Sequence, residues 1–166
     1  MRKNLPIRTA ARAVIIRDDK LLVLRRSGIQ GEFFVLPGGG QEHGESIRET
    51  LVREVFEEVS LRVEPEELLF INEFIGSKHS AFPEQERDVH QLDFTFLCKV
   101  EGNEEAKIGQ TPDVHQTGIA WIPLSEIMSY DLHPKEDLNF IMGAPTRDVL
   151  KAWLSNRERY QPPILI

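Results

Sequence analysis

The sequence predicts a mixed-sheet α/β (α+β) domain. Strand-like and helix-like segments follow one another without a strict βαβ repeat, which is typical of a mixed sheet. The chain has 166 residues, of which 40% are hydrophobic and 28% are charged, and these proportions are those of an ordinary globular protein. A chain of this length is most simply a single domain with one core.

Two aliphatic runs around an acidic turn begin the predicted sheet. The segments AARAVIIR and LLVLRR flank the residues DDK, which is the pattern of a β-hairpin. The segment EFFVLPGGG then predicts a short strand that ends at one proline and three glycines. The acidic segment that follows the glycines is predicted as a helix.

Three more strands and several short helices are predicted towards the C-terminus. The strands come from VEPEELLFINEFIG after an initial turn, from the alternating VHQLDFTFLCKV, and from TGIAWIPL as the last strand. A short helix should start at LSEIM, and two further helices should cover roughly residues 134–158, because a proline opens each of them. An apolar tail, QPPILI, ends the predicted domain, which spans residues 1–166.

The acidic segment has the sequence signature of a capped helix. Ser46 and Glu49 form a capping box, in which the side chain of each residue bonds the backbone N–H of the other. The helix should therefore begin near Ile47 and run to Val59. At about 100° per residue, one face is apolar and is predicted to pack on the core. The residues of this predicted face are Leu51, Val52, Val55, Phe56 and Val59.

Three carboxylates, from Glu54, Glu57 and Glu58, lie beside the apolar face within an arc of about 100°. Their repulsion needs an opposing charge, and Arg53 can pair with only one of them at the i,i+4 spacing. A divalent cation would offset the rest, and carboxylate oxygens suit Mg²⁺ or Mn²⁺. The alternative is a solvated acidic face, but the glycines at 38–40 can bring backbone groups close to a ligand. The pattern favours a site for metal and phosphate.

The segment from Gly39 to Leu61 resembles the box of the Nudix hydrolase family, of the MutT-like type. The family pattern is G, five residues, E, seven residues, then R-E-U-x-E-E-x-G-U, where U is bulky and aliphatic. Ser60 is the one departure, because the family has glycine there, and a serine in the left-handed conformation should cost about 1 kcal/mol. The matching residues are Gly39, Glu45, Arg53, Glu54, Val55, Glu57, Glu58 and Leu61.

The resemblance implies a fold and a reaction. The fold is an α/β/α sandwich around a mixed β-sheet. The reaction is the hydrolysis of a nucleoside diphosphate linked to another moiety X, with Mg²⁺ or Mn²⁺ as the cofactor. The carbonyl of Gly38 would add a ligand to the metal-binding glutamates, which would be Glu54, Glu57 and Glu58.

The resemblance also implies roles for the residues around these glutamates. Arg53 would orient them, and Glu45 would support the start of the helix and hold Arg53, so that both join the glutamates in catalysis. The substrate-binding residues would be Arg26, Gly39 and Phe82. Phe82 belongs to the polar loop 76–88 and is predicted to stack on a base, with a docked surface residue as an equal alternative.

Two alternatives stay open from the sequence. A Nudix-fold domain without catalysis would bind nucleotides or act in regulation, but every glutamate of the box is present. The general base is a box glutamate or a residue of the loop before the last predicted strand, which offers Glu101, Glu104, Glu105, Asp113 and His115. The chain carries no marker that identifies the group X.

Composition bounds the partners and the location. The net charge of −7 argues against binding to DNA or RNA, which needs a basic surface, so the expected partner is a small-molecule nucleotide. No stretch reaches transmembrane length and none reads as a signal peptide. We therefore expect no membrane contact and a cytoplasmic location. The one cysteine, Cys98, is predicted to be a buried, inert thiol, and the resemblance leaves a homodimer open.

Overall fold

The computed structural model describes residues 5–28, 31–78, 88–113 and 115–133 of the chain. In these residues eight strands form one sheet, and one long helix packs on it. The strands are β1 (Arg8–Arg17), β2 (Lys20–Gly28), β3 (Gly31–Val35), β4 (Gly38–Gly40), β5 (Val63–Ile75), β6 (His90–Val100), β7 (Gln116–Pro123) and β8 (Leu132–His133), and the helix is α1 (Ile47–Val59).

Strand β1 lies at the centre of the sheet and changes its partner along its length. On one side it runs parallel to β6 from Arg8 to Ile15. On the other side it pairs antiparallel first with the short β4, where Arg12 is opposite Gly38, and then with β2. The order β5-β6-β1-β2-β3-β8, with β4 on β1 and β7 on β2, combines parallel and antiparallel pairs. The predicted mixed sheet is confirmed.

The predicted hairpin between β1 and β2 is also confirmed, with a tight turn at Asp18 and Asp19. Both residues have positive φ, 50° and 55°, as the two-residue hairpin loop of type I′ requires. Asp tolerates this conformation better than most residues do. The two strands pair only at Ile16 with Leu21 and at Arg17 with Lys20, so most of β2 is free to pair with β3 and β7.

Alternating side chains of the central strands separate the core into two clusters. On β1, Ala13 and Ile15 belong to the cluster that contains Leu51 of α1, whereas Val14 belongs to the other cluster. This alternation is the period of two expected of a strand that is covered on both faces. Cys98 lies in the cluster on the helix side, and burial raises the pKa of its thiol to about 12. The prediction of a buried, unreactive cysteine is confirmed.

Helix α1 has the predicted bounds and the predicted capping box. The Ser46 backbone N–H donates to Oε2 of Glu49 at 2.7 Å, and the Glu49 N–H donates to Oγ of Ser46 at 3.3 Å. At the other end Ser60 adopts φ 55° and ψ 29°, and its N–H donates to the carbonyl of Phe56 at 3.0 Å. The serine therefore adopts the left-handed conformation that glycine adopts most cheaply.

The predicted apolar face of α1 is wrong in part. Val52 is 37% exposed and Phe56 is 49% exposed. The residues that the helix buries are Thr50, Leu51, Val55, Glu58 and Val59. The helix is thus rotated so that its carboxylate flank, rather than the edge with Val52, meets the sheet. The physical reason is that the Glu58 carboxylate finds hydrogen-bond donors on the sheet side.

Three differences concern the elements that follow α1. Strand β8 follows the segment TGIAWIPL, which was predicted as the last strand. Strand β8 was not predicted because two residues are too few to show a periodicity. Strand β5 already begins at Val63, within the predicted turn, and its register with β6 is irregular between Pro65 and Phe70, where the proline lacks an N–H. The short helix predicted at LSEIM is a 3₁₀ helix, Leu124–Ser129.

Two predictions lie outside the described residues. They concern the C-terminal helices at 134–158 with the apolar tail, and Phe82 in the loop 76–88. In the part of the chain that the structure describes, no helix is both long and apolar enough to cross a membrane.

The left-handed conformation of Ser60 leads to a stability prediction. Replacing Ser60 with Gly should raise the free energy of unfolding by about 1 kcal/mol, because glycine has no Cβ to strain at this φ. Urea denaturation of both proteins measures the change. Ser60→Ala is the matched control, since it removes the hydroxyl and keeps the strain. An equal gain in Ser60→Ala would contradict this explanation.

Candidate active site

The guanidinium of Arg53 is the hub of a network of carboxylates on α1. Its Nε and Nη2 donate to the two carboxylate oxygens of Glu45 at 2.6 and 3.0 Å. Its Nη1 donates to Glu54 at 2.9 Å and to Glu57 at 3.4 Å, so the expected i,i+4 pair is present as a long contact. Nη2 also donates to the carbonyl of Gly40 at 3.0 Å. Arg53 therefore joins the loop before the helix, the helix face and β4.

Glu45 is the anchor of Arg53. Hydrogen bonding by Arg53 is the largest cause that lowers the pKa of Glu45 to about 2, and the backbone N–H of Glu42 and the hydroxyl of Thr50 add to it. The same fork-to-fork pair raises the pKa of Arg53. Such a bidentate pair fixes the plane of the guanidinium as well as its position. Glu45 is therefore held as an anion that orients Arg53.

Glu58 is the most buried carboxylate of the helix. Only 3% of the residue is exposed. Its Oε2 accepts the backbone N–H of Gly38 at 2.8 Å, and its Oε1 accepts Nη2 of Arg26 at 3.4 Å. Burial raises the pKa of Glu58 to about 7, although the Gly38 N–H opposes the shift. Burial likewise raises the pKa of Glu54, against the hydrogen bond from Arg53.

The glycines of β4 make room for these carboxylates. A Cβ on Gly39 would lie 2.5 Å from the carboxyl carbon of Glu54. Gly38 has φ +134°, and a Cβ there would collide with the carbonyl of Ala11. Gly40 is different, because its Cβ would meet only the end of the Arg8 side chain, at 3.4 Å. The glycines were predicted as the turn that ends a strand, but they form the short strand β4 because they pair with β1. Strand β4 and the acidic helix are thus two sides of one contact.

Two residues of this contact were not predicted from the sequence. Arg12 on β1 donates from Nη1 to the carbonyl of Gly38 at 2.6 Å and from Nε to Oδ1 of Asp93 at 3.0 Å. Asp93, on β6, is only 1% exposed. One signal was available in the sequence, since each charged residue interrupts an otherwise apolar strand pattern. Their pairing was not visible, because 81 positions separate them.

The loop before β7 closes over the C-terminal end of α1. The N–H of Gly109 and the side-chain amide of Gln116 both donate to the carbonyl of Glu58 at 3.0 Å. A Cβ on Gly109 would collide with the carbonyl of Glu57. From the same loop, Asp113 accepts Nη2 of Arg26 at 2.8 Å. Packing on α1 therefore brings this loop to the carboxylate cluster.

Of the five loop residues considered as general bases, Asp113 contacts the cluster through Arg26. The side chain of Glu105 instead lies 3.9 Å from Arg17 at the far end of β1, where Arg17 also bonds the carbonyl of Glu104. Glu101 and His115 make no hydrogen bond with their side chains to the carboxylates of α1 among the contacts of the described residues. The register of the loop thus brings one acid, Asp113, towards the site.

The carboxylates have the chemistry of a site for a hard cation. Four glutamates face three guanidiniums, those of Arg53, Arg26 and Arg12, so negative charge is in excess; the glutamates are Glu45, Glu54, Glu57 and Glu58. In the described residues, no three acidic, histidine or cysteine side chains converge on one point as ligands. The arginines hold the carboxylates instead. The donor types fit Mg²⁺ or Mn²⁺, and the buried Glu58 and the half-buried Glu54 are the anions that a cation would stabilise.

Comparison with known proteins identifies the family of this chain. The model of the NUDIX domain matches residues 6–142, which include every residue of the cluster. The chain belongs to the Nudix hydrolase family. The resemblance to the family that was found in the sequence is therefore confirmed.

Two relatives and one solved structure illustrate the similarity. The human 8-oxo-dGDP phosphatase NUDT18 is 30% identical over 128 residues, 76% of this chain and 35% of that protein. The nucleoside triphosphatase NudI of Escherichia coli is 30% identical over 131 residues, 76% of this chain and 89% of that protein. A NUDIX hydrolase from Nitrosomonas europaea has a TM-score of 0.65 at 23% identity, over 97% of each chain. The chain matches about a third of the human protein, and the solved structure confirms the Nudix fold.

The raised pKa of Glu58 leads to a prediction about pH. The carboxyl titrates at 4.5 when unperturbed and at about 7 in the fold, so between these values the native state binds more protons than the unfolded state. The free energy of unfolding should therefore fall as the pH rises from about 4.5 to about 7. In EDTA, Glu58→Gln should escape this loss, which is on the order of 3 kcal/mol. Urea denaturation at several pH values compares the two proteins, and parallel profiles would contradict the prediction.

The space at Gly39 leads to a second prediction. Gly39→Ala places a methyl group against the Glu54 carboxylate and should lower the rate of nucleotide hydrolysis by about a hundredfold through misplacement. Gly40→Ala is the matched control, because its methyl group meets only a flexible side chain. The hydrolysis rates and melting temperatures of both variants measure the effect. Equal rates in the two variants would sink the idea.

Proposed function

We propose that this protein is a metal-dependent pyrophosphohydrolase that cleaves a nucleoside diphosphate linked to another moiety X. The single observation that carries the proposal is the contact between β4 and α1. There, Gly39 leaves space for the carboxylate of Glu54, while Gly38 donates to the buried carboxylate of Glu58. A merely solvated acidic helix would not bury a glutamate to 3% exposure beside a second half-buried one.

The residues proposed to hold Mg²⁺ or Mn²⁺ are Glu54, Glu57 and Glu58, with the Gly38 carbonyl as a further ligand. When bound, the metal would polarise a phosphoryl oxygen and lower the pKa of a bound water. The Gly38 carbonyl already accepts from Arg12 at 2.6 Å, so it would offer its second lone pair. Metal binding would also relieve the cost of ionising Glu58 in a buried place.

The remaining residues of the cluster would position the reacting groups. Arg53, fixed by Glu45, donates from one nitrogen, Nη1, to both Glu54 and Glu57 and so holds these two carboxylates beside each other. Arg26 is shared between Glu58 and Asp113. Once a cation neutralises Glu58, the guanidinium of Arg26 would be available to a phosphate, and Asp113 would keep it in place. This explains how a protein of net charge −7 would bind an anionic substrate.

The nature of X is the open part of the proposal. The two relatives carry different substrates in their names, 8-oxo-dGDP and nucleoside triphosphates, at the same identity of 30%. We propose a nucleotide of the sanitation or the nucleotide-sugar and ADP-ribose type. Phe82 is proposed to contact its base, and Gly39 to pass close to its phosphates. A single domain over residues 1–166, a cytoplasmic location and a homodimer stay predictions of the same kind.

Glu57→Gln tests the metal assignment. Within the part of the chain that the structure describes, the one contact of the Glu57 carboxylate is the long one to Arg53, at 3.4 Å. The fold should therefore survive while hydrolysis falls by about three decades or more. Product analysis on a panel of nucleoside diphosphate derivatives and triphosphates, with Mg²⁺ or with EDTA, measures the rates. Glu64→Gln, at an exposed position of β5, is the control for the loss of one charge. Near-normal turnover of Glu57→Gln with Mg²⁺ would refute the assignment, and nucleotide binding without turnover by the wild type would favour a non-catalytic domain.

A further inference from the structure

Arg12 connects the core of the sheet to the backbone of β4. Its guanidinium donates through Nε to Asp93 at 3.0 Å and through Nη1 to the carbonyl of Gly38 at 2.6 Å. The second oxygen of Asp93 accepts the side-chain amide of Gln91 at 3.0 Å. Both carboxylate oxygens of the buried acid are therefore satisfied, and the direction of the guanidinium is fixed by its anchor.

This ion pair is not needed to join the strands that carry it. Strands β1 and β6 already pair in parallel from Arg8 with Gln91 to Ile15 with Cys98. A buried charge is costly even when it is paired, and apolar residues of similar volume often stabilise a core as well or better. A buried Asp93 that points Arg12 at one backbone carbonyl therefore suggests a role in placing that carbonyl.

Gly38 is a residue whose backbone needs such a restraint. The peptide before it is held by the Ala13 N–H, which donates to the carbonyl of Pro37 at 2.8 Å, and the peptide after it belongs to the pairing of β4 with β1. At φ +134° and without a Cβ, Gly38 resists rotation between these two peptides less than another residue would. Its N–H donates to the Glu58 carboxylate at 2.8 Å and its carbonyl accepts from Arg12. The carbonyl of Gly40, two residues on, is held in the same manner by Arg53. Two guanidiniums, one from β1 and one from α1, thus fix the short strand that faces the carboxylates.

We propose that Arg12, anchored by the buried Asp93, is a positioning residue that fixes the carbonyl of Gly38 and, through the backbone torsions of this glycine, restricts the N–H that binds the Glu58 carboxylate. Arg12 need not touch the substrate for this role. It acts on β4 from the strand side as Arg53 acts from the helix side. The expected effect of Arg12 on turnover rests on the proposed hydrolase function, whereas its expected effect on the Gly38 backbone does not.

Amide hydrogen exchange and kinetics together test the proposal. In Arg12→Met, which keeps the length of the side chain, the Gly38 amide should exchange at least about tenfold faster, while the Thr50 amide inside α1 should not change. The kcat for a nucleotide substrate should fall by about a hundredfold with KM changed by less than about threefold. Asp93→Asn, which keeps the volume and removes the anionic anchor, should change both quantities in the same direction.

Arg17→Met is the matched control, because Arg17 lies on the same strand and bonds the carbonyl of Glu104 at its far end. It should leave the exchange of Gly38 and kcat unchanged. Unchanged Gly38 exchange in both Arg12→Met and Asp93→Asn would overturn the proposal, as would equal acceleration at Gly38 and Thr50, or faster exchange without a fall in kcat. If the wild type hydrolyses no nucleotide, the proposed function fails, and the exchange measurement alone decides whether Arg12 fixes the Gly38 backbone.

Discussion

The hydrogen bond from the Gly38 N–H to the Glu58 carboxylate is the interaction on which the site depends. It brings an acidic side chain, 3% exposed, onto a backbone donor at 2.8 Å. To make this bond, α1 turns its carboxylate flank towards the sheet and leaves Val52 and Phe56 partly exposed. The free energy that their full burial would provide, roughly 1.5 to 3 kcal/mol for each side chain, is given up in part to place Glu58. The rotation of the helix thus reflects the polar contact of Glu58 together with the burial of Leu51, Val55 and Val59.

Charge balance explains the rest of the cluster. The positive charges of Arg53 and Arg26 offset the repulsion between the glutamates of α1. A further acid holds each guanidinium: Glu45 bonds Arg53 and Asp113 bonds Arg26. Glu45 has a lowered pKa because it is paired, whereas Glu58 has a raised pKa because burial outweighs its donors. The cluster therefore contains one carboxylate, Glu45, that its pairing with Arg53 keeps ionised, and one buried carboxylate, Glu58, whose ionised form a metal would stabilise.

The sequence predicts best what is local in the chain. The capping box of Ser46 and Glu49, the end of α1 at Val59 and the turn at Asp18 depend on neighbours within a few residues, and all three are found. The prediction of which face of α1 is buried was wrong in part, because periodicity orders residues around the helix axis without saying which arc meets the sheet. Arg12 and Asp93 meet only because β1 and β6 pair in parallel. Such a contact between distant strands has no signature in a single sequence, beyond a charge in an apolar run.

The serine at the C-terminal end of α1 illustrates how tertiary contacts compensate for a locally unfavourable backbone conformation. A left-handed Ser60 weakens the helix end by about 1 kcal/mol, and a helix end has unpaired carbonyls in any case. Here the loop before β7 satisfies them, since Lys107 donates to the carbonyl of Val59 at 3.1 Å and Gly109 to that of Glu58 at 3.0 Å. Gly109 is required for so close an approach to α1. These hydrogen bonds from the loop offset the strain at Ser60. The same loop also carries Asp113, which bonds Arg26 beside the carboxylates.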